Sequence, residues 1–140
     1  MNCTIKWTNF LNLTLTAKTD SKHIICMDGD PKNGGQNLAP RPMEMILIGA
    51  GGCTTYDIIL ILKKNKQNIK KCKIKIKSKR AKQNPKIFTK IHFKFYIYGK
   101  NLNKNIIKNA IKLSHSKYCS AIIMLNKSTK ITHSLKIINT

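Results

Sequence analysis

Acidic side chains are scarce in this 140-residue chain: five Asp and Glu stand against 27 Lys and Arg, for a formal charge of +22. Arginine is nearly missing as well, since every basic residue except Arg41 and Arg80 is lysine. The lysines run along the chain among abundant Ile and Asn, the composition an AT-rich genome tends to write into any protein. A nucleic-acid interface instead shows clustered Arg and Lys with interleaved aromatics on one face. So high a charge creates a positive field with non-specific affinity for polyanions. Nucleic acid is therefore not the expected partner, and a basic protein that binds polyanions through its lysines stands as an alternative function. The segment Met1–Trp7 has no basic stretch followed by an apolar run, so no secretory signal is visible. The five cysteines are irregularly spaced and odd in number, which excludes a disulfide framework. There is no CxxC and no Cys/His spacing of the zinc type, and no metal or cofactor is expected. The glycines at 49–52 lack a following Lys-Ser/Thr, which excludes a phosphate loop, and no Ser/His/Asp arrangement is visible. No repeat or linker divides the chain, so residues 1–140 read as a single domain. The expected compartment is a reducing cytoplasm, where a functional cysteine is redox-active or catalytic.

What is present is organised around one stretch, from Arg41 to Asn65. Pro42 suits the first turn of a helix, and Glu44 follows where the dipole favours a negative charge. From Met45 to Leu62 the residues are apolar or small on nearly every side, and Lys63, Lys64 and Asn65 supply a cationic end. A helix apolar all round is buried all round. It is long enough to span a bilayer, but Asp57 within it would cost at least ~2.5 kcal/mol at mid-membrane. A soluble core helix is the expectation, with no membrane partner. One small sheet covers only one side of such a helix, so the sequence predicts a homodimer, with Gly49, Gly51 and Gly52 allowing close approach.

Before the helix, Cys3 to Leu15 reads as two strands broken near Asn9 or Asn12, and His23–Met27 as a third. Asp28 to Asn37 is a loop. After it, Lys73–Ser78 and Lys90–Tyr98 alternate strictly. Ile74 and Ile76, then Ile91, Phe93, Phe95 and Ile97, face inward in an antiparallel hairpin closed by Gly99. Leu102, Ile106, Ala110 and Leu113 mark an amphipathic helix. Ser116 is the expected N-cap of a short helix through Leu125, and Ile131–Ile137 a last strand. This order gives an α+β plan.

Two cysteines have settings that suggest chemistry. Cys53 lies midway along the long helix. Cys119 falls in the first turn after Ser116, where helix N–H groups stabilise a thiolate. A sulfur that attacks and a second that resolves are the minimal parts of a thiol peroxidase. A buried structural cysteine is the ordinary alternative for Cys53. Arg41 is the candidate activating cation, held by Glu44 through a bidentate pair. Glu44 and Cys53 are roughly 180° apart on a regular helix, and Asp57 sits one turn beyond Cys53, where a carboxylate opposes a thiolate. His115 and His133 read as ordinary surface or structural histidines.

Arg41-Pro42-Met43-Glu44-Met45 through Gly51-Gly52-Cys53, then Lys117-Tyr118-Cys119-Ser120 and Ile131-Thr132-His133-Ser134, resemble the OsmC/Ohr family, most closely its YhfA-like bacterial branch. The likeness runs from about Ile5 to Ile138. It implies an α+β fold in which antiparallel sheets wrap a long central helix in an intertwined homodimer, with a reactive site at the subunit interface. It further implies that Cys53 reduces hydroperoxides, especially organic ones, and that Cys119 resolves. A dithiol such as a lipoyl-bearing protein is the implied reductant, and a small apolar ligand in the interface cleft is the non-catalytic alternative. The chain departs from the peroxidase branch in two places. Only Lys6, Lys18 or Lys22 stand where that branch has an N-terminal arginine, and its glutamate aligns with Met43, one position before Glu44.

Overall fold

The computed structural model describes residues 1–7 and 12–140. They form two compact units, residues 1–48 and 49–140.

In the first unit, β1 (Cys3–Trp7), β2 (Leu15–Thr19) and β3 (Ile24–Met27) form an antiparallel sheet in sequence order. The expected hairpin is present, but its second strand starts at Leu15, where the sequence reading ended it. Of the two positions expected for the break, Asn9 lies outside the described residues and Asn12 falls between β1 and β2. The loop after β3 is built around Asp28, which is buried. Its carboxylate accepts N–H bonds from Gly29 (2.7 Å), Gln36 (3.1 Å) and Leu38 (3.0 Å). Those bonds, Leu38 first, hold the carboxyl below its ordinary range. Gly35 presses on Gly29 so closely that a Cβ there would meet the Gly29 backbone.

The helix α1 runs unbroken over Pro42–Lys64, as the sequence predicts. Its buried residues are Ala50, Gly51, Thr54, Ile58 and Leu62, one stripe at three- and four-residue spacing. It is long and apolar enough to cross a bilayer. The buried stripe and the hydrogen bond that Asp57 accepts from Ser114 (3.0 Å) fit a core helix instead. Burial is not all-round in the single chain: Ile46, Ile48, Tyr56 and Leu60 remain exposed.

The second unit carries β4 (Asn68–Arg80), β5 (Phe88–Lys100) and β6 (Lys130–Asn139). β4 and β5 pair antiparallel, but β6 pairs with β5 in parallel, so this sheet is mixed and not antiparallel throughout as expected. The reason is the connection. Between β5 and β6 the chain runs through α2 (Lys104–Leu113), a π turn (Ser114–Tyr118) and α3 (Ser120–Leu125), a helical crossover of the kind parallel pairing needs. Ile91, Phe93, Phe95 and Ile97 are fully buried on one face of β5, as the alternation predicts. α2 buries Ile107, Ala110 and Ile111, so its inward stripe lies about one residue from the Ile106–Leu113 line read from the sequence. Burying each such aliphatic side chain contributes about 1.5–3 kcal/mol. Gly51 packs α1 on β4, with a Cβ there 2.7 Å from Ile76 Cδ1, whereas Gly49 and Gly52 face open space. Gly99 lies within β5 and does not close it. A side chain at that position would strike the Asn68 carbonyl beside the bulge between Ile69 and Lys71.

Candidate functional site

Helical spacing places Cys53 and Asp57 on one face of α1, one turn apart. The junction between α2 and α3 brings Cys119 to the same place. The Cys53 and Cys119 sulfurs and an Asp57 carboxylate oxygen all lie within 4.8 Å of one another. Cys53 is half-buried and Cys119 is fully buried, and both are free thiols. The Cys119 thiol is pushed up to about 12, first by burial, then by its hydrogen bond with Cys53 and by the negative charges of Cys53 and Asp57. The hydrogen bond from the Ile122 backbone N–H opposes this, and outweighs either charge taken alone.

The local structure at Cys119 differs from the sequence expectation. Ser116 is not an N-cap: its hydroxyl donates back to the Lys112 carbonyl (2.8 Å). The π turn inserts an extra residue before the helix, the Cys119 N–H closes it on the Ser114 carbonyl (2.8 Å), and Cys119 itself becomes the cap of α3. The cap position brings no dipole-stabilised thiolate, because burial outweighs it.

A second finding is a buried polar chain that sequence reasoning missed. Thr54 and Ser114 are both fully buried. Their hydroxyls are 2.9 Å apart, and Ser114 donates onward to Asp57 Oδ2 at 3.0 Å. The Ser114 hydrogen is committed to the carboxylate, so Thr54 is the donor to Ser114. Asp57 thus anchors α1 to the end of α2. The available signal was the polar pair at i and i+3, Thr54 and Asp57, inside an otherwise apolar helix.

Of the two readings left for His115, surface or structural, the structure gives the structural one. Its ring sits in the π turn against Phe93 (5.6 Å between centroids) and Phe95 (5.9 Å), and 5.3 Å from His133. Its Nε2 is buried without a partner. Burial, with a smaller contribution from His133, lowers its pKa to about 4. Among the remaining thiols, Cys3 and Cys26 are exposed, while burial raises half-buried Cys72 to about 11.

Arg41 and Glu44 do not form the expected side-chain pair. The Arg41 guanidinium pairs with Asp30 at 3.0 Å. Glu44 instead accepts the Arg41 backbone N–H at 2.9 Å. That is the returning half of a capping box, which satisfies an N–H at the helix start. The structure therefore brings Cys53 and Cys119 together and engages Arg41 and Glu44 at the start of α1.

Beside Asp57 a cavity of about 430 Å³ opens between Leu60, Ile61, Lys64, Leu113 and Tyr118. Apolar walls with a few polar groups suit a small organic ligand. The two sulfurs and the carboxylate also form a donor set of the type zinc accepts, one ligand short of a closed tetrahedral site.

A family model described as OsmC-like protein matches residues 34–134. The chain is 39% identical over 138 residues to the protein YhfA of Escherichia coli K12, covering 99% of this chain and 98% of that one. A crystal structure of a hypothetical protein from Aquifex aeolicus is 30% identical, with a TM-score of 0.79 and coverage of 97% and 96%. An organic hydroperoxide resistance protein OsmC from Legionella pneumophila shares the fold, with a TM-score of 0.69 at 14% identity over 97% of each chain.

Proposed function

The chain belongs to the OsmC-like protein family, and on that premise we propose that it is a thiol-dependent hydroperoxide reductase in which Cys53 attacks and Cys119 resolves. The observation that carries this reading is the approach of the two sulfurs. The Cys53 thiolate attacks the outer oxygen of a hydroperoxide. The O–O bond breaks, the alcohol leaves with the proton the thiol gave up, and Cys53 becomes a sulfenic acid. The Cys119 sulfur then attacks the Cys53 sulfur. The S–S bond forms, the S–O bond breaks, and water departs with the second thiol proton. An external dithiol, such as a lipoyl-bearing protein, restores both thiols by exchange.

The roles follow from burial. Cys119 is enclosed and held protonated, so half-exposed Cys53 is the sulfur that meets a peroxide. The apolar cavity beside Asp57 supports an organic hydroperoxide as substrate. A homodimer forms part of the proposal. It is supported by Ile46, Ile48, Tyr56 and Leu60, exposed along α1, and by Gly49 and Gly52, which face open space. The same cavity favours the second reading, a non-catalytic protein that holds a small apolar ligand.

The test mixes reduced protein with an organic hydroperoxide and maps its cysteines by mass spectrometry. A rapid Cys53–Cys119 disulfide, lost in Cys53→Ser, is expected. Slow oxidation spread over all five cysteines would overturn the reductase and leave the ligand-binding reading.

A further inference from the structure

Independently of the thiol site, we propose that the outer face of the β4–β5–β6 sheet is a binding platform for single-stranded nucleic acid. The charge is not spread evenly along the chain, whatever the composition suggests. All five acids (Asp20, Asp28, Asp30, Glu44 and Asp57) lie within the first 57 residues, where only Lys6, Lys18, Lys22, Lys32 and Arg41 are basic. The whole net charge therefore belongs to residues 58–140, which contain no carboxylate side chain.

Sheet register then gathers that charge on one face. Since β5 turns Ile91, Phe93, Phe95 and Ile97 into the core, its alternate residues point outward. Across the face, Lys75 is paired with Lys94, Lys77 with His92, and Lys79 with Lys90. Lys90 in turn is paired with Lys130, and Tyr96 with Lys136. Like charges directly opposite one another destabilise a sheet. This face carries that cost at the Lys75–Lys94, Lys79–Lys90 and Lys90–Lys130 pairs, and a bound polyanion relieves it.

The aromatic component is present too. Tyr96 and Tyr98 alternate along β5 on this same face. The ammonium of Lys71 lies 5.5 Å from the Tyr98 centroid, and those of Lys75 and Lys94 lie 5.9 and 5.5 Å from that of Tyr96. Beside them is a depression of about 390 Å³ lined by Lys75, Lys77, His92, Lys94, Tyr96 and Ser134. Its His92 ring is fixed by Thr132 (2.8 Å) and Ser134 (2.9 Å). Clustered lysines with interleaved rings on one face form the arrangement that the linear sequence conceals.

The geometry favours a single strand over other polyanions. An open sheet offers rings for stacking to bases that are free to splay, while its lysines track the phosphates. Duplex readout needs an element that enters a groove. A membrane-binding face needs several large apolar side chains among its lysines, and the side chains between these lysines are tyrosine, histidine and hydroxyls, with Ile138 beside Tyr98 at one end of the face.

The test measures binding of the full chain to a fluorescent oligothymidylate of about 12 nucleotides by anisotropy over a salt series. The triple variant Lys75→Gln, Lys77→Gln, Lys94→Gln is compared with Lys104→Gln, Lys108→Gln, Lys112→Gln on α2, which removes equal charge from exposed positions. The sheet variant is expected to bind at least about tenfold more weakly and to lose roughly two units of log K against log salt slope, about 0.7 per phosphate contact. The α2 variant is expected to stay within about threefold, and Tyr96→Ala to lose at least about fivefold through stacking. Equal losses in both triple variants, an unaffected Tyr96→Ala, or capture by phosphatidylserine vesicles that the oligonucleotide does not reverse would each overturn the proposal.

Discussion

Replacing Ser114 by alanine tests whether the buried chain of hydroxyls holds α1 to the end of α2. The substitution removes a fully buried hydroxyl that donates to the Asp57 carboxylate at 3.0 Å and accepts from Thr54 at 2.9 Å. A hydrogen bond to a charged group contributes about 1.5–3 kcal/mol, and a neutral one about 0.5–1.5. Ser114→Ala removes both, and leaves the Thr54 donor buried and unpaired, so the expected loss is about 2–4 kcal/mol. Thr54→Val keeps the shape and removes only the neutral bond, for a loss of about 0.5–1.5 kcal/mol. The double variant should lose less than the sum of the two, because the Thr54–Ser114 bond is then counted once. The measurement is urea unfolding of reduced protein at one fixed protomer concentration, since association raises apparent stability. Equal losses for the two single variants, or additivity within about 0.5 kcal/mol, would refute the chain.

Other expectations follow from the same structure. Neutral His115 stabilises the fold through its burial: the unfolded imidazole takes a proton near 6.5 and the folded one only near 4. That stability is complete above pH 6.5 and is lost as pH falls toward 4, so in acid titrations followed by circular dichroism His115→Leu should unfold at lower pH than the parent. Gly35→Ala and Gly99→Ala press a methyl onto backbone and should each cost about 1–3 kcal/mol by overpacking, measured by thermal melting. Gly52→Ala meets open space in the single chain. It should raise helix stability by up to about 1 kcal/mol while shifting sedimentation equilibrium toward monomer, and an unchanged association constant would count against the dimer face. In timed alkylation read by mass spectrometry, exposed Cys3 and Cys26 should react first, and Cys72 and Cys119, raised by burial, last.

The periodic parts of the fold were legible because their causes are local. α1 starts at Pro42 and ends at Lys64 as the capping and charge signals require, and the inward face of β5 follows from alternation alone. Parallel pairing of β6 was not legible, because it depends on where a crossover returns the chain and Ile131–Ile137 reads the same in either direction. The π turn was hidden for a related reason. Ser116 has the chemistry of a cap, but the cap falls where the backbone breaks, and that break is set by Ser114 reaching Asp57 across 57 residues of sequence. Glu44 carried a true helix-start signal that was assigned to the wrong partner: it binds the Arg41 backbone and not the guanidinium.

These corrections bear together on the thiol site. Arg41 is paired with Asp30, Glu44 caps the helix, and the charged side chain that meets the two sulfurs is Asp57. A carboxylate near a thiol raises its pKa, so neither burial nor local charge favours thiolate at Cys119. The Ser114 hydroxyl moderates this by donating to Asp57 Oδ2, which takes up part of the carboxylate's negative charge in a hydrogen bond. Cys119 held in this way resists indiscriminate oxidation, because sulfur reacts as thiolate. In the proposed reductase, turnover then depends on a group that enters with the substrate or with the second subunit of the proposed dimer. Completion by a second subunit is the form of the proposal that accounts together for the exposed apolar face, the open Gly49 and Gly52 surface, and the absence of an arginine before Arg41 in the sequence.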